Sequence, residues 1–201
     1  MYERYAGYLK LVAQTKKGNY IAFFPSYQFM EQVYEAFAAL TQDCEDIEYV
    51  IQSQYMSEEA REIFLENFEE ERSRSLMGFC VMGGIFSEGI DLAQDKLIGA
   101  VIVGTGLPQV CRERELLKTY FDGKGYRGFD YAYLYPGMNK VLQSAGRVIR
   151  TDEDRGVILL LDERFRDTRY RETFPREWTS MWYCSLRNVE ALMRAFWEQD
   201  D

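Results

Sequence analysis

No histidine occurs anywhere in the 201 residues. That absence removes Ser/His/Asp and Cys/His catalysis, imidazole ligation of a metal and a histidine pH switch together. Cysteine is sparse: Cys44, Cys80, Cys111 and Cys184 stand 36, 31 and 73 positions apart. No CxxC pair offers a zinc, iron–sulfur or redox site, and the four read as free thiols. Basic charge is in deficit, with 24 Lys and Arg against 33 Asp and Glu and a net charge of −9. No global field draws the chain to nucleic acid, so such a role requires local contacts or a basic partner domain. Long hydrophobic runs are lacking too. The longest near-apolar stretch, Leu97 to Leu107, is too short to span a bilayer, and no signal peptide opens the chain. A cytoplasmic protein without a membrane partner is expected. Both phosphate-binding fingerprints are missing: no GxxxxGK[ST] occurs, and Gly104-Thr105-Gly106 has no third glycine in dinucleotide register.

Apolar residues make up 47% of the chain and aromatics 15%, enough for a substantial core. Short continuous apolar runs alternate with longer amphipathic stretches, the pattern of an α/β fold with a mainly parallel sheet covered by helices on both faces. The spacing predicts one domain over residues 1–201. Helices are expected over 2–15, from Ser26 through Leu40, from Ser57 to about Arg72, over 110–121, from Pro136 to about Ile149 and over 186–197. Strands are expected over 20–24, 47–51, 76–82, 97–103 and 157–161. Ser26 and Ser57 are candidate N-caps.

Three stretches carry candidate chemistry. In Gln143-Ser144-Ala145-Gly146-Arg147-Val148-Ile149-Arg150, helical phase at about 100° per residue puts Arg147 and Arg150 on the Gln143 side. Leu142, Ala145, Val148 and Ile149 fall opposite, as a packing face. Two forked cations a turn apart suit a phosphate that gains charge during transfer, and Gly146 permits close approach. A solvated amphipathic face accounts for the same pattern. Ser87-Glu88-Gly89-Ile90-Asp91 follows a strand and the pair Gly83-Gly84. It can line a nucleotide or nucleic-acid cleft, or be a turn with a helix cap. Phe23-Phe24-Pro25-Ser26-Tyr27 brings a hydroxyl and an aromatic to a strand end, although Pro-Ser there is also ordinary helix initiation. Asp162-Glu163 after an apolar strand imitates a magnesium-binding pair, and without a phosphate cradle it reads as structural.

In this order the segments resemble the second motor domain of superfamily 2 helicases of the XPD/DinG type. Tyr20–Tyr27 is similar to motif IV, Phe86–Leu92 to motif V in its Glu-Gly-Ile-Asp form, and Gln143–Arg150 to motif VI in its Gln-x-x-Gly-Arg-x-x-Arg form. The resemblance implies a RecA-like domain supplying half of an ATP site, in a protein class that includes DNA-repair helicases. It further implies that Arg147 and Arg150 are arginine fingers with Gln143 beside them, and that Glu88, Gly89, Asp91 and Gly146 face ATP. Ser26, Tyr27, Gly84 and Ser87 would meet single-stranded DNA. ATP and Mg²⁺ would be shared with a first RecA-like domain that is absent here, so the isolated chain is expected to be inactive. The alternative is a non-catalytic RecA-like interaction module that has lost its ATPase partner. A nucleotide-binding enzyme of another α/β kind is disfavoured by the two missing fingerprints.

Overall fold

The computed structural model describes residues 1–69, 72–86, 97–149, 154–178 and 180–198. Its elements, in chain order, are α1 (Tyr2–Thr15), β1 (Asn19–Phe24), α2 (Tyr27–Thr41), β2 (Ile47–Ile51), α3 (Glu58–Glu69), β3 (Ser75–Val81) and β4 (Gly99–Val103). There follow α4 (Arg112–Gly123), α5 (Tyr135–Ala145), β5 (Val157–Leu161), the short α6 (Thr168–Arg171) and α7 (Val189–Trp197). The five strands form one sheet in the order β2-β3-β1-β4-β5, and every neighbouring pair is parallel.

Strand alternation splits the core in two. Tyr20, Ala22 and Phe24 of β1 face α1, α2 and α7, while Ile21 and Phe23 face α3 and α5. Because both faces are covered, β1, β3 and β4 show no alternation of burial: all 17 positions of Tyr20 to Phe24, Ser75 to Val81 and Gly99 to Val103 are buried, so period alone could not mark these strands. On the first face Phe24 stacks on Phe79 at 5.7 Å, and on the second Phe64 stacks on Phe86 at 4.3 Å. Aromatic pairs of this kind add to simple area burial.

The caps act as expected: Ser26 Oγ accepts from the Phe29 N–H at 3.2 Å, and Ser57 Oγ from the Ala60 N–H at 3.1 Å. In α2 the buried positions are Met30, Val33, Phe37 and Thr41, whereas Leu40 is exposed. Thr41 spends its hydroxyl on the Phe37 carbonyl, 2.8 Å away, which lets a polar residue take the inner position.

Two expectations need correction. Pro136 does not open a fresh helix: five residues of π-helix, Asp130–Leu134, run directly into α5. The Tyr135 N–H reaches back to the Asp130 carbonyl, and the widened turn accommodates a proline that has no N–H to give. At its other end α5 stops at Ala145 rather than near Ile149. The Gly146 N–H still bonds the Leu142 carbonyl at 2.9 Å, but Arg147 and Val148 donate three residues back, to Ser144 and Ala145. The helix tightens and ends there.

Candidate nucleotide and single-strand interface

The sequence-predicted residues divide between the two edges of the sheet. Ser26, Tyr27 and Gly84 lie at the carboxyl edge, where β1 and β3 end. Ser26 is exposed, with its hydroxyl already committed to capping α2. Tyr27 is half-buried, and its phenolic oxygen accepts from Gln52 Nε2 at 2.8 Å. Burial first, and the nearby Cys80 sulfur second, push the Tyr27 hydroxyl above its ordinary pKa. It therefore keeps a proton to donate outward across the physiological range.

Gln52 joins this edge together and had no signal in the sequence beyond a polar residue after an apolar strand. It is buried at the end of β2, and its Oε1 accepts from the Val81 N–H at 2.9 Å while its own N–H bonds the Phe79 carbonyl at 2.9 Å. One neutral amide thus ties β2 to β3 and reaches the start of α2. Gly84 packs on the same amide: a Cβ there would stand 3.3 Å from Gln52 Nε2.

Lys140 is the second residue that sequence reasoning missed. Gly83 adopts a φ of 68°, and a Cβ at this position would stand 3.1 Å from Lys140 Cδ. The half-buried lysine, on α5 one turn before Gln143, therefore lies across the loop that follows β3. No ion pair links it to a described residue.

Gln143, Gly146 and Arg147 occupy the far end of α5. Eleven residues of helix span roughly 16 Å, which carries the chain from the carboxyl edge to the amino edge. The arrival point is Val148, buried against Gly156: a Cβ on that glycine would fall 2.3 Å from Val148 Cγ1 and 3.0 Å from the Ile98 carbonyl oxygen. Gly156 and Ile98 immediately precede β5 and β4. Gln143 and Gly146 are exposed and Arg147 is half-buried. Because the helix has ended, the expected one-face arrangement does not extend past Gly146. Arg147 takes its direction from the turn, and Ile149, expected on the packing face, is 42% exposed. Ser87, Glu88, Gly89, Asp91 and Arg150 lie outside the described residues.

One further carboxylate bears on chemistry. The Asp162 carboxylate is engaged locally. It caps the turn over Glu163–Arg166 and takes two bonds from the Arg164 guanidinium, at 2.9 and 2.7 Å. Among the described residues no group of three or more Cys, Asp or Glu could hold a metal ion, and no helix is long and apolar enough to cross a membrane.

Residues 9–181 match the helicase C-terminal domain family. The chain belongs to that family. Its relatives include a probable ATP-dependent helicase of Methanocaldococcus jannaschii, 32% identical over 107 residues, which are 49% of this chain and 16% of the relative. The ATP-dependent DNA helicase DinG of Photobacterium profundum is 32% identical over 115 residues, 56% of this chain and 16% of its own length. The XPD/RAD3 helicase subunit of general transcription and DNA repair factor IIH from Saccharomyces cerevisiae is 28% identical over 180 residues, covering 86% of this chain and 22% of that one. The chain thus spans only about a sixth to a fifth of these relatives. Among solved structures, an XPD helicase superposes with a TM-score of 0.66 at 26% identity, covering 86% of this chain and 30% of the other. An apo XPD gives the same TM-score at 24% identity and supports the RecA-like fold. This helicase C-terminal domain is accordingly of the XPD/DinG type, with the parallel, doubly covered sheet that the sequence pattern called for.

Proposed function

We propose that this domain is the second motor domain of an ATP-dependent DNA helicase. In this reading Arg147 and Arg150 are arginine fingers and Gln143 and Gly146 lie beside the nucleotide. Glu88, Gly89 and Asp91 face it from the connection between β3 and β4. Ser26, Tyr27, Gly84 and Ser87 border the single strand. Support comes from the separation of the two residue sets. Tyr27 and Gly84 converge on Gln52 at the carboxyl edge, while α5 delivers Arg147 to the amino edge. The β3–β4 connection leaves the first edge after Phe86 and returns at Leu97 beside the second.

The chemistry follows from the residue types. A transferred phosphoryl group accumulates charge on its outer oxygens, and a planar guanidinium can bridge two of them. The arginines need a phosphate that is already held, because no Walker lysine is present in this chain. A first RecA-like domain would supply it, and ATP would enter with Mg²⁺ carried on its phosphates and that domain. Lys140 adds a cation to the single-strand edge, and the Tyr27 hydroxyl is a donor for a backbone phosphate.

The test uses the parent helicase. Arg147→Ala and Arg150→Ala are each expected to lower single-strand-stimulated ATP turnover by on the order of 10³, with thermal stability changed by less than about 1 kcal/mol. Lysine at either position should fail to restore it. The isolated chain should show no motor-like hydrolysis and only weak single-strand affinity, given its net charge of −9. Normal turnover in both alanine variants, or robust hydrolysis by the isolated chain, overturns the reading.

A further inference from the structure

Among the described residues the outer edge of β5 carries no partner strand, and it borders a groove. β5 pairs with β4 alone among the described strands. The Val157 N–H donates to the Ile98 carbonyl and the Leu161 carbonyl accepts from Gly104, so residues 157, 159 and 161 turn their backbone groups toward β4. In a parallel ladder the intervening residues face the other way. Ile158 and Leu160 therefore present their N–H and C=O groups to the open side. Although the strand reads Val-Ile-Leu-Leu-Leu, its first four residues are only half-buried.

Beside this edge lies a groove of about 830 Å³, walled by the start of α1, the turn after β5, residues 180–184 and α7. Its charge is opposite to that of the chain. Arg4, Arg164, Arg166 and Arg171 line it against Asp162 and Glu163, and Asp162 is consumed by Arg164. Arg4, Arg166 and Arg171 have no carboxylate partner among the described residues. Arg166 instead sits 5.2 Å from the ring centre of Tyr183, and Arg171 reaches the Tyr183 hydroxyl at 3.4 Å. Tyr5, Phe174, Trp182 and Phe196 line the same groove with apolar surface.

We propose that the groove docks an acidic, extended peptide segment, which adds to β5 as a sixth strand. The unpaired edge recognises the peptide backbone, as in other strand-addition sites. Acidic side chains of the incoming segment then meet the arginines, and its apolar side chains the aromatic lining. A strand edge has no complementary use for a nucleic-acid backbone, which favours a peptide over an oligonucleotide for the same cations. The net charge of −9 repels an acidic partner from afar, but that repulsion is screened beyond about 8 Å at physiological salt. The groove therefore selects at contact range.

The experiment measures fluorescence anisotropy of a labelled ten-residue peptide of alternating Glu and Val titrated with the 201-residue chain. Saturable binding is expected, and a Lys/Val counterpart should not bind. The double variant R166E/R171E should weaken binding by about tenfold or more, as loss of a close charge contact does. L160P removes an outward N–H without breaking the ladder to β4, a position where an edge strand tolerates proline; it should weaken binding several-fold with thermal stability near that of the parent chain. If L160P unfolds, a peptide N-methylated on alternate amides replaces it and should lose affinity likewise. Absence of binding, equal binding to R166E/R171E, or equal competition by a single-stranded oligonucleotide overturns the proposal. Self-association of the chain through β5, seen by sedimentation and abolished in L160P, also overturns it, since the occupant is then a second copy.

Discussion

At the carboxyl edge of the sheet, one buried amide, Gln52, holds β2, β3 and Tyr27 by directional hydrogen bonds between neutral groups. At the amino edge Val148 fills the space that Gly156 leaves, and the contact is steric, with the Ile98 backbone as its floor. The two constructions fail differently. A hydrogen-bonded edge can exchange a partner for water or a ligand at modest net cost, whereas a glycine notch admits one shape only. An edge of the first kind suits a surface that grips and releases a strand. The second suits a surface that must hold a cation at a fixed place.

Substitutions that break this comparison begin with Gly156→Ala. Its methyl group would collide with Val148 and with backbone that cannot retreat, so a loss of about 2–3 kcal/mol is expected, read by denaturant unfolding. Turnover of the parent helicase should fall with it, because Arg147 adjoins Val148. Next, Gln52→Leu leaves the Val81 N–H without a partner at a buried position. A loss of about 1–2 kcal/mol is expected, together with weaker single-strand binding but unimpaired basal hydrolysis. An equal effect of both variants on turnover would erase the distinction between the edges.

Lys140→Gln is a smaller and more selective change. If Lys140 meets one phosphate as proposed, its loss should reduce the salt slope of single-strand affinity by about 0.7, measured by titration between low and moderate salt, with stability unchanged. The smallest effect concerns Asp162. Burial by itself would raise its carboxyl pKa, but hydrogen bonds from the Arg164 side chain and N–H outweigh that and hold it below the ordinary carboxylate range. A depressed folded-state pKa stabilises above the unfolded value, near 3.9. That stability is lost as pH falls through the folded value. Asp162→Asn should therefore cost stability near neutral pH and show less further loss under acid, followed by thermal unfolding across pH 2 to 6.

Much of the fold was legible because continuous apolar runs mark doubly covered strands. The boundaries of β2 and β5 coincide with the sequence reading, as do the Ser26 and Ser57 caps. The end of α5 was not, since a helical wheel drawn over Gln143–Arg150 has no term for the turn that tightens after Ala145. The π-helical entry to Pro136 was hidden for a similar reason: a proline at a helix start looks the same whether the preceding turn is coil or a widened helix. At the candidate site, motif residues stood out by spacing. Gln52 and Lys140 did not, because their importance comes from tertiary neighbours more than 20 residues away in sequence. Ser87, Glu88, Gly89, Asp91 and Arg150 are outside the described residues.

The strand order carries a kinetic consequence. β1 is central, yet its partners lie far downstream: Asn19 pairs with Leu76 and Tyr20 with Gly99. At a synthesis rate of about 5–20 residues per second, the second of these partners emerges roughly 4–16 s after the first half of the pair. Throughout that interval Tyr20, Phe23 and Phe24, all fully buried in the finished fold, have no complete sheet to enter. Folding of this domain must therefore close long loops before its central strand is repaid, and the ribosome-bound chain carries that central strand uncovered the longest.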